Sequence, residues 1–263
     1  MEENKKVVIL GVIFICLVIL AFVIYFVFIK DKGAEGSPDI SSQVDVTESA
    51  EKMEEDLGDV EMISVPLDKS DEVVRDLIND LSINPVFKEW ISSPDIMRKL
   101  TAAIVNIANG ESPRIHIDFF DPEEKFDVVY KSGFAYINPD SYRRYDLAAD
   151  VFVSLDTQEC IQLFNRLRPI FQEALAELGY PDNDFKDILF QAIIELLEVP
   201  IIQEDIEVRK KIITYEIVDS SLENLTPSQK HLLRMGPENI EIIQGKLEDI
   251  ALELGIPEER LPG

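Results

Sequence analysis

The sequence predicts an α+β protein whose soluble domain is mostly α-helical, preceded by one transmembrane helix and a disordered acidic linker. Three observations carry that prediction. An apolar run of 23 residues, Val7–Ile29, stands between Lys5-Lys6 and Lys30. An acidic stretch without aromatic residues follows it to about residue 64. Beyond that point apolar residues recur mainly at helical spacing, interrupted by short alternating or β-branched stretches. The boundaries read as a short N-terminal tail (1–6), the transmembrane helix (7–29), the acidic flexible linker (30–64), a globular α+β domain (65–255) and a C-terminal tail (256–263).

The apolar run is long enough to span. A hydrocarbon core of about 30 Å needs roughly 20 apolar residues as a helix, and a helix is the only single segment that satisfies its own backbone there. Signal-peptide cores are shorter, about 7–15 residues, and end in a small-residue cleavage site. This run ends in Phe26-Val27-Phe28-Ile29-Lys30, so it reads as an uncleaved anchor. Lysines flank it two against two and do not orient it. The six-residue tail and the long following domain favour a cytoplasmic N-terminus and a periplasmic or extracytoplasmic domain. For a bacterial chain this means a single-pass protein of the inner (cytoplasmic) membrane.

The formal charge is −26, and residues 1–32 hold four lysines against three acids, so the remainder carries −27. A field of that sign repels nucleic acid and anionic headgroups; no nucleic-acid partner is expected, and the anchor holds the chain at the bilayer. Of two cysteines, Cys16 lies in the apolar run and Cys160 in the domain, so no intrachain disulfide is expected. Residues 33–64 of the linker hold ten acids against Lys52. It buries too little apolar surface to order itself, and self-repulsion extends it to roughly 30 Å or more. A short helix at 48–57 would not change that role.

Within the domain, Ser70 reads as an N-cap for a helix carrying Val73, Val74, Leu77, Ile78 and Leu81. Asn84-Pro85 starts a short helix, and Ser93-Pro94 starts another that ends at Asn109-Gly110. Arg114 to Phe119 alternates like a strand. Phe126–Tyr130 and Phe134–Ile137 flank Lys131-Ser132-Gly133 as a hairpin. Ser141 to Ser154 reads as one helix. Asp156 and Glu159 resemble a capping box opening a long helix. Its stripe is Cys160, Phe164, Leu167, Phe171, Ala174 and Leu178, with a kink expected from Pro169. Asp184 caps the next helix, which Pro200 ends. Ile206–Val218 reads as one strand or two, Thr226-Pro227-Ser228-Gln229 as a helix start, and Pro237 as the start of the last helix.

No catalytic motif stands out. His116 and Asp118 share a strand face with Arg114, which alternation alone explains. Cys160 sits on an apolar stripe without electropositive neighbours. Counted as a calcium loop from Asp182, the positions for Gly and Glu hold Asp187 and Ile193, so that pattern fails. Two histidines without a cysteine cluster do not make a zinc site. No metal, no cofactor and no catalytic residue are expected. Basic spots remain: Arg143-Arg144 between Tyr142 and Tyr145, Arg166 and Arg168, and Lys230, His231 and Arg234. Arg144, Arg168, Lys230 and Arg234 are the candidate contacts for an anion or a partner. Internal ion pairing with the abundant acids is the competing reading.

Several stretches together resemble a bacterial family, the domain of unknown function 3014. They are Tyr142-Arg143-Arg144-Tyr145-Asp146, Ser154-Leu155-Asp156, Leu167 to Ala174, Leu178-Gly179-Tyr180-Pro181 and Gln229 to Asn239. The resemblance covers about Leu67 to Leu254 and is sharpest in the last stretch. It implies an N-terminally anchored envelope protein and brings no active site with it. Its most family-like positions here include Arg144, Asp146, Arg168, Pro169, Arg234 and Gly236, and the four charged ones can equally form a buried polar network. The expectation is a membrane-anchored binding or scaffolding module of the cell envelope with a protein partner and no catalysis. The alternative is an envelope hydrolase acting on an anionic group held by arginines.

Overall fold

Helix starts in this protein are set by polar caps. Asn84, Asp156, Asp184, Asp219 and Thr226 each accept a hydrogen bond from a backbone N–H in the first turn that follows. The computed structural model describes residues 62–78, 84–117, 122 and 124–262. The expected anchor at 7–29, the linker before residue 62, the helix considered at 48–57 and Leu81 lie outside the described residues. Among the described residues, no helix is long and apolar enough to cross a membrane.

A 3₁₀ turn at Leu67–Lys69 leads into α1 (Ser70–Ile78), α2 (Pro85–Ile91) and α3 (Ile96–Ala108). A hairpin of β1 (Val128–Lys131) and β2 (Phe134–Ile137) precedes α4 (Asp140–Arg143), α5 (Asp146–Ser154), α6 (Thr157–Glu177) and α7 (Phe185–Leu197). A second hairpin, β3 (Glu207–Lys210) and β4 (Tyr215–Ile217), is followed by α8 (Ser220–Glu223), α9 (Pro227–Leu233) and α10 (Pro237–Glu253). The strands form one antiparallel sheet in the order β1-β2-β3-β4. The chain is α+β and mostly helical.

Ile137, Val208 and Ile217 of the sheet are buried with Ile193, Leu197, Leu232, Ile240, Ile243 and Leu247 in one core. A second core holds Leu67, Val74, Ile91, Ile96 and Met97 against Leu167, Ile170, Leu175, Phe185 and Ile188. Helix α7 supplies both. Phe185, at its start, stacks on Phe171 of α6 with ring centroids 4.5 Å apart.

Several expectations are corrected. Residues Arg114–His116 form a turn rather than a strand, so His116 shares no strand face with Arg114. The single helix expected over 141–154 is two, broken at Arg144-Tyr145. Helix α3 begins at Ile96, later than Ser93-Pro94, because its cap comes from another helix. The Asp71 carboxylate of α1 accepts from the N–H groups of Asp95 (2.8 Å) and Ile96 (3.2 Å). Ser70 does not cap by accepting; its Oγ donates to the Leu67 carbonyl. Leu178 is exposed, off the buried stripe of α6, while the following Gly179 takes φ +98° and closes the helix. The expected C-terminal tail is packed: Ile256 is buried in the first core and Arg260 stacks 4.7 Å from the Phe190 ring centroid. The helix α6 does run through Pro169, and the two-strand reading of 206–218 and the capping box at Thr226 and Gln229 are both present.

Gly236 joins α9 to α10 with φ +85°, and a Cβ there would stand 2.4 Å from Tyr142 Cγ. Gly236→Ala should therefore destabilise by about 2–4 kcal/mol, from a left-handed backbone and a filled contact. Gly245→Ala, in α10 with nothing within 4 Å, should stabilise by about 0.5–1 kcal/mol. Denaturant midpoints of the two variants give the comparison.

Candidate functional site

The corner between α4 and α5 is pinned to the corner between α9 and α10. Tyr142 lies on Gly236. Asn239 Nδ2 reaches Asp146 Oδ1 (3.0 Å), the Tyr142 carbonyl (3.4 Å) and the Met235 carbonyl (2.9 Å). Asn239 is buried, so these bonds satisfy its amide and fix the two corners together. A second fastening comes from the loop after α3. Ser228 N donates to the Gly110 carbonyl, and Ser112 Oγ lies 2.7 Å from His231 Nε2.

These contacts assemble Arg144, on the first corner, with Arg234, at the end of α9. Arg144 lies over two rings, its Cζ 4.7 Å from the Tyr145 centroid and 5.7 Å from that of Phe126. Its Nη2 donates to the Tyr145 hydroxyl (3.1 Å) and its Nη1 to the Glu124 carbonyl at 3.4 Å. Its Nε is buried and makes no hydrogen bond among the described residues. Burial pushes the Arg234 guanidinium below the usual arginine range; the Tyr145 and Glu223 charges oppose that, and the fields of Arg144 and Arg114 add to it. Three arginines thus share one neighbourhood. Among the described residues neither Arg144 nor Arg234 forms an ion pair with a carboxylate.

The family model described as Protein of unknown function (DUF3014) matches residues 96–251. The chain belongs to this family. The match begins at the first residue of α3, so α1 and α2, which the resemblance from Leu67 took in, lie before it. No curated protein and no solved structure matches the chain. The family-like positions Arg144, Asp146, Arg234 and Gly236 all meet at the pinned corners, together with Asn239.

The other expected contacts are used elsewhere. Arg168 pairs with Asp184 at 2.5 Å, and that same carboxylate caps α7 through the Lys186 N–H. Arg168 therefore does not join a network with Arg144, Asp146 and Arg234. Lys230 Nζ donates to the Glu223 carbonyl (2.7 Å) and its carboxylate (3.4 Å). Burial pushes the Cys160 thiol up, which disfavours its thiolate. Asp184 serves as a cap, and among the described residues no group of three or more metal-binding side chains occurs. Ser112, Arg114 and Tyr145 were not singled out as site residues by the sequence, since they carry no motif and reach the site through the fold.

Two half-buried cations without an ion pair among the described residues are a standing cost to the folded state. Arg234→Met keeps the stem and removes the charge, and should raise the denaturation midpoint by about 1 kcal/mol in stability. Arg98→Met should lower it, because Arg98 holds Glu177 at 2.7 Å and Asp68 at 2.5 Å. A fall on Arg234→Met would mean the charge is structural.

Proposed function

We propose that this protein is a membrane-anchored binding module of the bacterial cell envelope. It takes an anionic group of a partner protein, a carboxylate or a phosphate, on Arg144 and Arg234. The observation that carries this reading is that, among the described residues, neither Arg144 nor Arg234 forms an ion pair, in a chain with 51 acids and 25 bases. Elsewhere in the domain comparable cations are met, as Arg98, Arg168 and Lys230 are. A guanidinium fork held over the Phe126 and Tyr145 rings is preorganised for bidentate contact. The tyrosine hydroxyl adds a polar edge to it. The apolar run at 7–29 supports the anchor, and the domain then faces away from the cytoplasm.

One observation favours a second reading, hydrolysis of a bound anionic substrate. Ser112 Oγ and His231 Nε2 are within hydrogen-bond reach, two and three residues from Arg114 and Arg234 in sequence. In that reading His231 takes the serine proton and the arginines hold the charge that develops. The binding reading is preferred because a serine–histidine hydrogen bond has a sufficient structural use here: it fastens the loop after α3 to α9.

The full chain in detergent separates these. Phosphate or citrate, added at constant ionic strength against chloride, should raise the melting temperature, a native-state ligand at 100 times its Kd being worth about 2.7 kcal/mol. Arg144→Ala and Arg234→Ala should each abolish the rise, while Arg98→Met leaves it in place. No rise over chloride would overturn the site. Turnover of generic phosphate or carboxylic esters, lost in Ser112→Ala with anion binding retained, would replace the binding reading with the hydrolytic one.

A further inference from the structure

The sheet register brings both hairpin turns to one end of the sheet. Lys131 pairs with Phe134, Ala135 with Val208, and Lys210 with Tyr215. Carried one step toward the turns, the β2–β3 register places Phe134 beside Arg209. The turn after β1 and the turn after β3 are therefore neighbours. At this shared end four apolar side chains stand in water: Tyr130 at 69% exposure, Phe134 at 56%, Ile212 at 95% and Ile213 at 92%. The two isoleucines are the most exposed large apolar side chains among the described residues. A folded domain gains nothing for itself by presenting them together on a tight turn.

The same end is basic. Residues 209–214 read Arg-Lys-Lys-Ile-Ile-Thr, three positive charges without an acid, in a chain whose total is −26. Glu216 serves two of these cations, lying opposite Arg209 and pairing with Lys211, and Lys131 pairs with Asp205. Lys210 makes no ion pair among the described residues. We propose that the paired hairpin tips, led by Ile212 and Ile213 with Arg209, Lys210 and Lys211 behind them, dock on the anionic lipid surface of the membrane that holds Val7–Ile29.

This inference rests on the anchored reading given above and adds where the domain touches. Isoleucines at a turn enter the boundary between headgroups and acyl chains, while the long stems of lysine and arginine leave their charges among lipid phosphates. Each basic group near an anionic leaflet strengthens such contact about five-fold. The remaining surface is acidic and repelled by the same headgroups, so the tip is the end that approaches. Residues 30–61 separate the apolar run from the first described residue. A chain of that length reaches roughly 30 Å, enough for the tip to meet the bilayer.

The test uses the full chain in lipid nanodiscs with Trp90→Phe, so that Ile213→Trp supplies the single indole. In discs containing phosphatidylglycerol its emission should shift to the blue, with severalfold quenching by brominated acyl chains. In phosphatidylcholine discs, or with Arg209→Gln, Lys210→Gln and Lys211→Gln together, quenching should fall at least five-fold. Leu178→Trp, outside the tip, should stay unquenched. An unquenched indole at Ile213→Trp, or equal quenching in both lipids, would overturn the proposal. So would burial of the indole by self-association without lipid quenching. A chain washed from the discs by high salt at alkaline pH would refute the anchor, and the tip is then read on vesicles of the same lipids by the same quenching criterion.

Discussion

The fold depends on one helix being apolar around much of its circumference. α7 buries Phe185 and Ile188 in one core and Ile193 and Leu197 in the other. Helix α6 accompanies it, with Ile161 and Phe164 against the first core and Leu167 and Ile170 in the second. A helix in that position has few exposed backbone carbonyls with access to water at its end, and the structure answers this with Gln244 of α10. Its buried amide donates to the carbonyls of Leu196 (3.0 Å), Leu197 (3.1 Å) and Val199 at 2.9 Å. At the other end Asp184 caps the helix and holds Arg168. One end of α7 is thus closed by its own cap residue, held by Arg168 of α6, and the other by Gln244 of α10, which ties α6 and α10 to the same axis.

Around that axis the polar groups divide into satisfied and unsatisfied sets. Glu195, on α7, accepts from Thr226 Oγ1 (2.5 Å) and Ser228 Oγ (2.8 Å), completing the start of α9. Lys246, buried on α10, donates to the Leu155 carbonyl and to Thr157 Oγ1, bridging the α5–α6 junction. These are closed arrangements in which each donor has its acceptor. Arg144 and Arg234 differ: burial, the field of a second arginine and an idle Arg144 Nε come together, and among the described residues neither arginine forms an ion pair. Charge tolerated at such a place in so acidic a chain is what a recognition surface requires and a stability-driven design would remove.

What the sequence made legible was local chemistry. Asn84, Asp156, Asp184 and Thr226 cap helices a few residues away, and the helices α2, α6, α7 and α9 start where those residues indicated. The first hairpin was readable from aromatic and β-branched runs around a short turn, and the second as a β-branched stretch of one strand or two. Distant interactions were not readable. The start of α3 depends on Asp71, over twenty residues earlier, and the break between α4 and α5 sits where Asn239 and Gly236 engage Asp146 and Tyr142. The candidate site shows the same split. Arg144, Arg168, Lys230 and Arg234 look alike as residues, and only their neighbours separate them. Glu223, seven residues before Lys230, was a signal available in the sequence. The approach of Arg114, Ser112 and Tyr145 was not, because it depends on the loop after α3 lying against α9.

The entry of the chain into the domain has a mechanical meaning. Pro169 denies α6 one backbone donor in mid-helix. The carbonyl of Arg166, one turn before it, accepts from the Ile63 N–H at 2.9 Å, and Leu67 N donates to Glu173 Oε2 at 3.2 Å. The incoming strand of chain is therefore laid along the middle of α6 and stitched to it at two points. Tension on the N-terminal side loads those two bonds across α6 rather than peeling the helix from an end. The first structure to yield under such a load is the seam between residues 63–67 and α6, which takes Leu67 out of the second core and leaves the first core and the paired corners standing.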